Sequence, residues 1–598
     1  MPFLTVFSSL FSTAYFYVLL VLCGIVVGYV ALFAGGLRIV YAKPVIFPAL
    51  VAAIFLISTL FSISRRFSFD GFDLEAGTVA SVLALLALFW LSIVWLRNGL
   101  RVRAILFAMM ATTTLVVVAD LFIAILRSVV AHEAAGISSM SDVTFMAGFA
   151  LVLSLALPKY FSLNPIGRFA CTVSTLLCAT FLLFAPVTFV WCSVGIVAIL
   201  MCIERFRAHH RSSAGLFCAV GIASLLLFFC GNSIPFPRMS AGMPVSPQFS
   251  DAVAVVAASY RASPIRAFVG TGPNTYAQAW ELYKPVSVNK TPLWNMTYTQ
   301  GVGLYDSVAV TVGILGIVAA LAMLVLAIRS GWRRVVTLDE TEDRCLLCVS
   351  FFAAMYGWLA FIGYMPNMIS LVAIVAVSGI ATAWTIDTDK FRRLILVSKT
   401  KPWLAGVMVL SVCVILLVCL IIRTYSVVLY NGGVEQVMQN QNVDASQALI
   451  SKAVSIFPQP VYYRALSEVQ QERMAQLVVD TSMPKEESAA GFGIYAQAAV
   501  KNARKAVDME PANVLNWIVL GNVYAQLALA KVAGAPQQGS DAYAHAIALE
   551  PSNPFPFFLQ AKLAEAVGDV GNVRAFAYRA LVLKPDYVDA RILYSKQQ

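Results

Sequence analysis

Runs of about 20 apolar residues recur through the first 423 positions, and they constrain the fold more than any other feature. A helix crosses the roughly 30 Å hydrocarbon layer of a bilayer in about 20 residues and satisfies its own backbone hydrogen bonds there. This length predicts an all-α fold, a polytopic membrane helix bundle of about twelve spans. The candidate spans lie at 13–34, 45–63, 76–96, 104–126, 143–157, 169–185, 187–203, 214–230, 307–328, 346–363, 367–386 and 403–422.

The composition agrees with a membrane location. Of the 598 residues, 60% are hydrophobic and only 12% are charged, which excludes a water-soluble globular chain. The first run has no basic residue before it and is long for a signal peptide, so we expect a retained span. The lipid bilayer is therefore the first predicted partner.

Basic residues are distributed unevenly between the loops. Lysine and arginine are concentrated in the odd-numbered loops, whereas the short even-numbered loops contain only Arg65, Arg66 and Arg127. Because basic loops stay in the cytoplasm, this places both chain ends and the long loop 231–306 outside. The net charge of +11 then reflects topology and attraction to anionic lipid, and we expect no nucleic-acid partner.

The tail, residues 424–598, is polar and has helical periodicity. Four segments place small residues at helical spacing before an apolar run and a proline, at Pro458, Pro511, Pro551 and Pro585. The last two prolines are 34 residues apart, the tetratricopeptide period. We predict a membrane domain, 1–423, and an external tetratricopeptide-like α-solenoid, 424–598, that offers a surface for a protein partner. An irregular helical tail is the alternative.

The long external loop contains a segment unlike its surroundings. Residues 264–276 read PIRAFVGTGPNTY, a Tyr-Lys-Pro follows at 283–285, and 288–295 read VNKTPLWN. The next apolar run begins near TVGILG at 311–316. These motifs resemble the bacterial O-antigen ligase and polymerase family, in particular a branch with tetratricopeptide tails.

The resemblance implies a function and a location. Members of this family transfer a glycan from an undecaprenyl diphosphate carrier to a lipid, saccharide or protein acceptor. The expected site lies on the outer side of the bacterial cytoplasmic (inner) membrane, and no metal or other cofactor is expected. The undecaprenyl diphosphate-linked glycan and the acceptor are thus implied partners.

Two arginines in the loop suit this chemistry. A departing lipid diphosphate gathers negative charge, which an arginine meets with a bidentate fork. We predict one loop helix, 250–266, which carries Arg261 and Arg266. Arg261 precedes Gly272 at the spacing of the family's loop arginine, so the resemblance implies the same role here. The alternative is that both arginines rest among lipid headgroups.

Further candidates surround the Gly-x-Gly turn. Gly270 and Gly272 would let backbone N–H groups approach an anion, or form a plain tight turn. Aromatic side chains at Trp280, Tyr283 and Trp294 would stack on sugars or anchor the loop at the interface. The substrate-binding candidates are Gly270, Gly272, Lys284, Trp294 and Asn295.

One expected catalytic pair is absent from the sequence. Family ligases have a His-Asn pair where this chain has Val302-Gly303. Asp306, Asp251 or Glu281 would replace it as the base, or each is an ordinary loop carboxylate. His132 and His545 are the only histidines predicted to face outward, and the Asp387-Thr-Asp389 motif is not expected to bind metal.

Two other classes of function fit parts of the sequence. A non-catalytic scaffold of glycan assembly would recruit partners through the repeats. A transporter would require ionisable residues inside its spans, where only Asp120 lies well within one.

The charge distribution predicts where the chain ends lie. Tags placed before Met1 and after Gln598 should both be accessible to a membrane-impermeant reagent in cells with an intact inner membrane. A tag in the basic segment after Arg392 should be protected and serves as the control. A protected terminal tag would contradict the predicted topology.

Overall fold

The computed structural model describes residues 43–72, 75–130, 140–185, 189–231, 246–386, 402–479 and 484–596. Over these residues it is helical and contains no strand, which agrees with the predicted all-α class. The first predicted span, 13–34, lies outside the described residues, as do His132, Asp387 and Asp389.

The described chain forms 24 α-helices. The membrane part contains α1 (Lys43–Leu60), α2 (Arg65–Asp70), α3 (Val79–Trp95), α4 (Gly99–Val130), α5 (Met140–Tyr160), α6 (Pro165–Phe184), α7 (Phe189–Arg207), α8 (Arg211–Cys230), α13 (Gly313–Thr337), α14 (Glu342–Ala360), α15 (Met368–Thr385) and α16 (Pro402–Asn440). The long loop contains α9 (Phe249–Ala262), α10 (Pro264–Val269), α11 (Tyr276–Tyr283) and α12 (Leu304–Thr311). The tail contains α17 (Val443–Ile456), α18 (Pro460–Val479), α19 (Lys485–Met509), α20 (Val514–Leu529), α21 (Ala535–Leu549), α22 (Pro554–Val567), α23 (Val570–Leu583) and α24 (Val588–Ser595).

Nine of the described helices are long and apolar enough to cross a membrane, namely α4 to α8 and α13 to α16. The second and third predicted spans correspond to α1 and α3, which contain shorter apolar stretches. Each predicted span within the described residues therefore overlaps a helix. The length and composition of these helices support a multi-span membrane protein, and the number twelve stays a prediction.

The centre of the membrane part is built on α5 and α14, which are buried on nearly all sides. Gly148 allows α5 to approach α14, because a Cβ there would lie 2.2 Å from the Tyr356 hydroxyl oxygen. Tyr356 donates a hydrogen bond of 2.7 Å to the Phe145 carbonyl. Small residues at such crossings are how membrane helices gain packing contacts. Outer helices instead expose large apolar side chains such as Leu115 and Phe229, as expected of surfaces that face lipid.

Ends of three helices meet on one side of the bundle around a buried carboxylate. Glu204 accepts hydrogen bonds from the Tyr160 hydroxyl at 2.6 Å and the Arg344 guanidinium at 2.8 Å. Arg205 lies over the Tyr160 ring at 3.7 Å. A buried charge requires such partners. These helix ends belong to odd-numbered loops, the ones predicted to be cytoplasmic.

Two predicted helices are interrupted in the structure. The predicted span 307–328 is wrong at its start, because α12 ends at Thr311 and Gly313 has a left-handed backbone angle of φ 73° before α13 begins. The predicted loop helix 250–266 is divided into α9 and α10 at Ser263, whose φ is −163°. Pro264 causes this second break, since proline disfavours helical geometry in the residue before it.

The tail is a helical-repeat array. Helices α17 to α24 pack on their neighbours in chain order, and buried alanines such as Ala499, Ala503 and Ala577 let the helices approach closely. Turns reading Glu-Pro-x-Asn end with Asn513 and Asn553, whose side chains cap the following helices. The predicted boundary at 423/424 lies inside α16, which runs without interruption from the membrane part into the first helix pair.

A paired-helix array with its own core should fold alone. Residues 430–598 expressed without the membrane part should give a helical circular dichroism spectrum and behave as a monomer. Ala503→Asp should unfold this fragment, because it places a carboxylate at a fully buried position. A random-coil spectrum of the unmodified fragment would contradict the repeat fold.

Candidate functional site

The long loop has its own small hydrophobic core. Trp280 and Tyr276 on α11 pack with Val255 of α9, Tyr298 and Val310. Trp280 is fully buried, and its indole N–H donates to the Met296 carbonyl at 3.2 Å. This corrects the expectation that Trp280 stacks on a sugar or anchors the loop in the interface, because its ring is out of reach of both. The sequence did contain a signal for this burial, because Trp280 and Tyr276 lie at the spacing that places two side chains on one face of a helix.

The Gly-x-Gly turn packs directly against the break between α12 and α13. A Cβ on Gly270 would lie 2.3 Å from the Thr311 carbonyl atoms, and one on Gly313 would lie 2.6 Å from the Gly270 nitrogen. The N–H of Thr271 donates to Val310 O at 3.1 Å, and that of Gly272 donates to Thr311 O at 2.8 Å. These donors are therefore occupied. The expected anion cradle at Gly270 and Gly272 is not formed here.

The end of α1 closes the other side of this turn. Ser58 donates to Val269 O at 2.6 Å and to Thr311 O at 3.1 Å. Gly272 has φ 116°, and a Cβ there would lie 2.0 Å from the Ser62 hydroxyl. The Gly-x-Gly turn, the break between α12 and α13 and the end of α1 thus form one junction, and this junction holds the loop to the membrane part.

The two candidate arginines lie just beyond this junction. Arg261 is exposed in the last turn of α9, and among the described residues it has no hydrogen bond or ion pair. Arg266 on α10 is half-buried and donates to the Tyr283 hydroxyl. Exposed apolar side chains share these two helices: Phe249, Val253, Ile265 and Phe268. Cationic heads beside apolar side chains are typical of a helix that lies at a membrane surface.

Asp306 is placed as a helix cap. Its two carboxylate oxygens accept from the N–H of Val302 at 2.8 Å and of Gly303 at 2.7 Å, at the start of α12. A carboxylate held by the first turn of a helix stabilises that helix. The structure therefore gives Asp306 a structural role, and does not bring it together with Arg261 or Arg266 through any contact among the described residues.

Lys284 lies at the boundary between the loop and the repeat array. The residue is 2% exposed, and its ammonium group pairs with Glu550 at 2.6 Å while also donating to the Trp294 carbonyl at 3.2 Å. Glu550 in turn accepts from Asn553 at 2.8 Å. The predicted contact of Lys284 with substrate is thus corrected to a buried contact between two parts of the chain.

Trp294 and Asn295 face the same array. The Trp294 ring lies 5.4 Å from the Tyr587 ring, and the Lys584 ammonium lies 5.4 Å from the Trp294 ring centre. The Asn295 side chain accepts from Asn553 at 3.2 Å. Both predicted substrate-binding residues therefore bind the repeats in this structure.

A second docking contact was not predicted from sequence. Arg423, near the middle of α16, pairs with Asp70 at 2.9 Å and donates to the Gly71 and Phe72 carbonyls. The Phe72 ring packs edge-on against Tyr462 of the array, at 5.7 Å. The sequence contained one signal for this contact, namely that Arg423 directly follows an apolar run.

Several carboxyl groups are buried along the docked surfaces. Burial raises the pKa of Glu75 to about 7, although a hydrogen bond donated by Asn274 acts to lower it. Burial, followed by the charge of Glu550, raises the pKa of Glu281 to about 8, while Lys284 opposes the shift. Glu281 is therefore largely protonated at neutral pH. A half-buried Asp251 on α9 also has its pKa raised by burial.

The buried Glu281 predicts a pH dependence of stability. Its folded pKa exceeds the unfolded value, so its stabilising effect is complete below about pH 4.5 and is lost as pH rises through about 8. One such proton changes the free energy of unfolding by about 1.4 kcal/mol per pH unit. Glu281→Gln should flatten the decline in melting temperature between these pH values.

The control for this experiment is Glu486→Gln, the same chemical change at an exposed position on α19. It should leave the pH profile of the full chain in detergent unchanged. A Glu281→Gln profile as steep as that of the unmodified protein would show that this carboxyl group does not titrate as described.

No protein-family model matches the chain, and a search of curated proteins finds no match. Among solved structures, the chain is similar to a thermophilic tetratricopeptide-repeat protein of Thermus thermophilus. The two share 20% identity over 32% of this chain and 94% of that protein, with a TM-score of 0.24.

Proposed function

We propose that this chain transfers a glycan from an undecaprenyl diphosphate carrier to a lipid, saccharide or protein acceptor at the outer face of the bacterial cytoplasmic membrane. One observation carries the proposal: Arg261, a cation without a protein partner in the described chain, and Arg266 lie on consecutive helices that also expose Phe249, Ile265 and Phe268. A lipid diphosphate combines an anionic head with an apolar tail and matches both features.

The chemistry assigns a task to each arginine. The acceptor hydroxyl forms the new glycosidic bond, the bond from sugar to phosphate breaks, and the diphosphate leaves with the bonding electrons. Arg261 would bind the phosphate oxygens as their charge grows, which stabilises the transition state more than the ground state. Arg266, held by Tyr283, would supply a second cation of fixed orientation. The hydroxyl proton passes to water or to the released diphosphate.

A scaffold of glycan assembly is the second candidate. The geometry of Asp306 favours this candidate. Both of its carboxylate oxygens accept hydrogen bonds as a helix cap, so Asp306 is poorly placed to act as the base in place of the absent His-Asn pair. A scaffold would hold a carrier-linked glycan or a partner enzyme without breaking a bond. Transfer and binding therefore have to be measured separately.

Loss of Arg261 should reduce turnover more than substrate affinity. Arg261→Ala removes a charge-assisted contact worth roughly 2–4 kcal/mol in the transition state, or about 30- to 1000-fold in rate. Arg261→Lys keeps the charge but loses the fork, so it should rescue only part of the rate. The measurement is glycan transfer in cells that lack the native gene, with protein levels checked in the membrane fraction.

Arg65→Ala is the matched control, because Arg65 is exposed and lies outside the motif, on a segment that the charge distribution predicts to be external. It should transfer glycan normally. If Arg261→Ala and Arg266→Ala both transfer normally, the arginine mechanism is wrong and the scaffold becomes the better description.

A further inference from the structure

Four turns of the repeat array, at Pro458, Glu510, Glu550 and Lys584, contact the segment after α1 or the long loop. The first turn accepts a hydrogen bond at Pro458 O from Arg66, at 3.0 Å. At the next, Glu510 accepts from Gln278 at 3.5 Å. In the turn after that, Glu550 pairs with Lys284 of the long loop. Successive repeats therefore dock successive parts of the same chain.

The last of these four turns contacts the loop at Asn289. Lys584 donates to the Asn289 carbonyl at 2.9 Å, while the Asn289 side chain donates to Ser552 O at 2.8 Å and to Leu583 O at 3.1 Å. Asn289 is 1% exposed. These bonds bind the backbone of the loop to two consecutive turns, so the orientation of the loop on the array is specified.

The Lys284 to Glu550 pair is the most buried ionic contact of this surface. Two charges this deeply buried are stable only while they remain paired and hydrogen-bonded. Removing one charge leaves the other uncompensated, so the pair fixes one docked arrangement. A loosely attached array would not bury such a pair.

One peptide bond, from Lys284 to Tyr283, and one hydrogen bond, from Arg266 to Tyr283, connect this pair to a candidate arginine. Lys284 directly follows Tyr283, and its N–H donates to the Trp280 carbonyl at 2.8 Å, which closes the end of α11. The Tyr283 hydroxyl accepts from the Arg266 guanidinium. The position of the Lys284 side chain and that of Arg266 are therefore set by the same helix end.

We propose that the repeat array acts within its own chain as the positioning element of the transfer site, with Glu550 and Lys284 orienting Arg266 through Tyr283. This rests on the proposed function for its activity readout. Glu550 and Lys284 are positioning residues and do not touch the substrate. The four turns are occupied by the chain's own loops, so a protein partner has to use another face of the array.

The first test measures docking without any activity. Hydrogen exchange of residues 264–283 is followed in the full chain in detergent or nanodiscs. Glu550→Gln should increase exchange there, and the double exchange Lys284→Glu with Glu550→Lys should restore protection. Glu486→Lys changes a charge on an exposed part of the array and should have no effect. Unchanged exchange in Glu550→Gln would overturn the inference, whether or not the protein transfers glycan.

The second test asks whether the pair acts through Arg266. Glu550→Gln should lower kcat by about 10- to 100-fold with little change in KM, because a small misplacement of a charge-binding group slows the reaction step. In a chain that already carries Arg266→Ala, the same change should have almost no further effect. Equal losses in both backgrounds would show general destabilisation and overturn the positioning role.

The two tests separate the inference from the proposed function. If the unmodified protein transfers no glycan while exchange responds to Glu550→Gln as expected, the glycan-transfer proposal fails and the docking remains supported. If transfer is present but Glu550→Gln leaves kcat unchanged, only the positioning role fails.

Discussion

The close approach of Gly270 to the break between α12 and α13 is the contact on which the structure of the long loop depends. Side chains are excluded there, because a Cβ on Gly270 or Gly313 would overlap the opposite backbone. The carbonyls freed at the break are satisfied by the N–H groups of the turn and by Ser58. Membrane helices, loop helices and the arginine-bearing segment are thereby joined at one rigid junction.

Where the loop and the segment after α1 meet the array and α16, buried polar contacts add to apolar packing as a source of specificity. The loop meets the repeat array through Lys284 and Glu550, and α16 meets the segment after α1 through Arg423 and Asp70. Such pairs stabilise little compared with apolar contacts, but they strongly disfavour any arrangement that leaves a charge unpaired. The array is therefore attached at several defined points, and α16 is its covalent link to the membrane part.

Local sequence patterns predicted the elements well and the site only in part. Apolar runs located the described spans, and the proline spacing located the repeats, since both signals arise within about 20 to 40 neighbouring residues. The site depends on residues far apart in the chain. Lys284, Trp294 and Asn295 have side chains that suit a sugar or a phosphate, yet all three contact the array. Arg261 and Arg266 stay candidates, but they lie on two helices that are divided at Ser263 instead of the single predicted helix.

The sequence by itself determined that this chain has apolar helices long enough to cross a membrane and ends in helical repeats, because hydrophobic length and periodicity act locally. Tertiary structure decided which polar residues face a ligand and which are buried between parts of the chain. Glu281 illustrates the difference: its residue type is that of a solvated acid, but burial beside Glu550 raises its pKa to about 8. No local pattern encodes that neighbour, since the two residues meet only when the repeats dock on the loop.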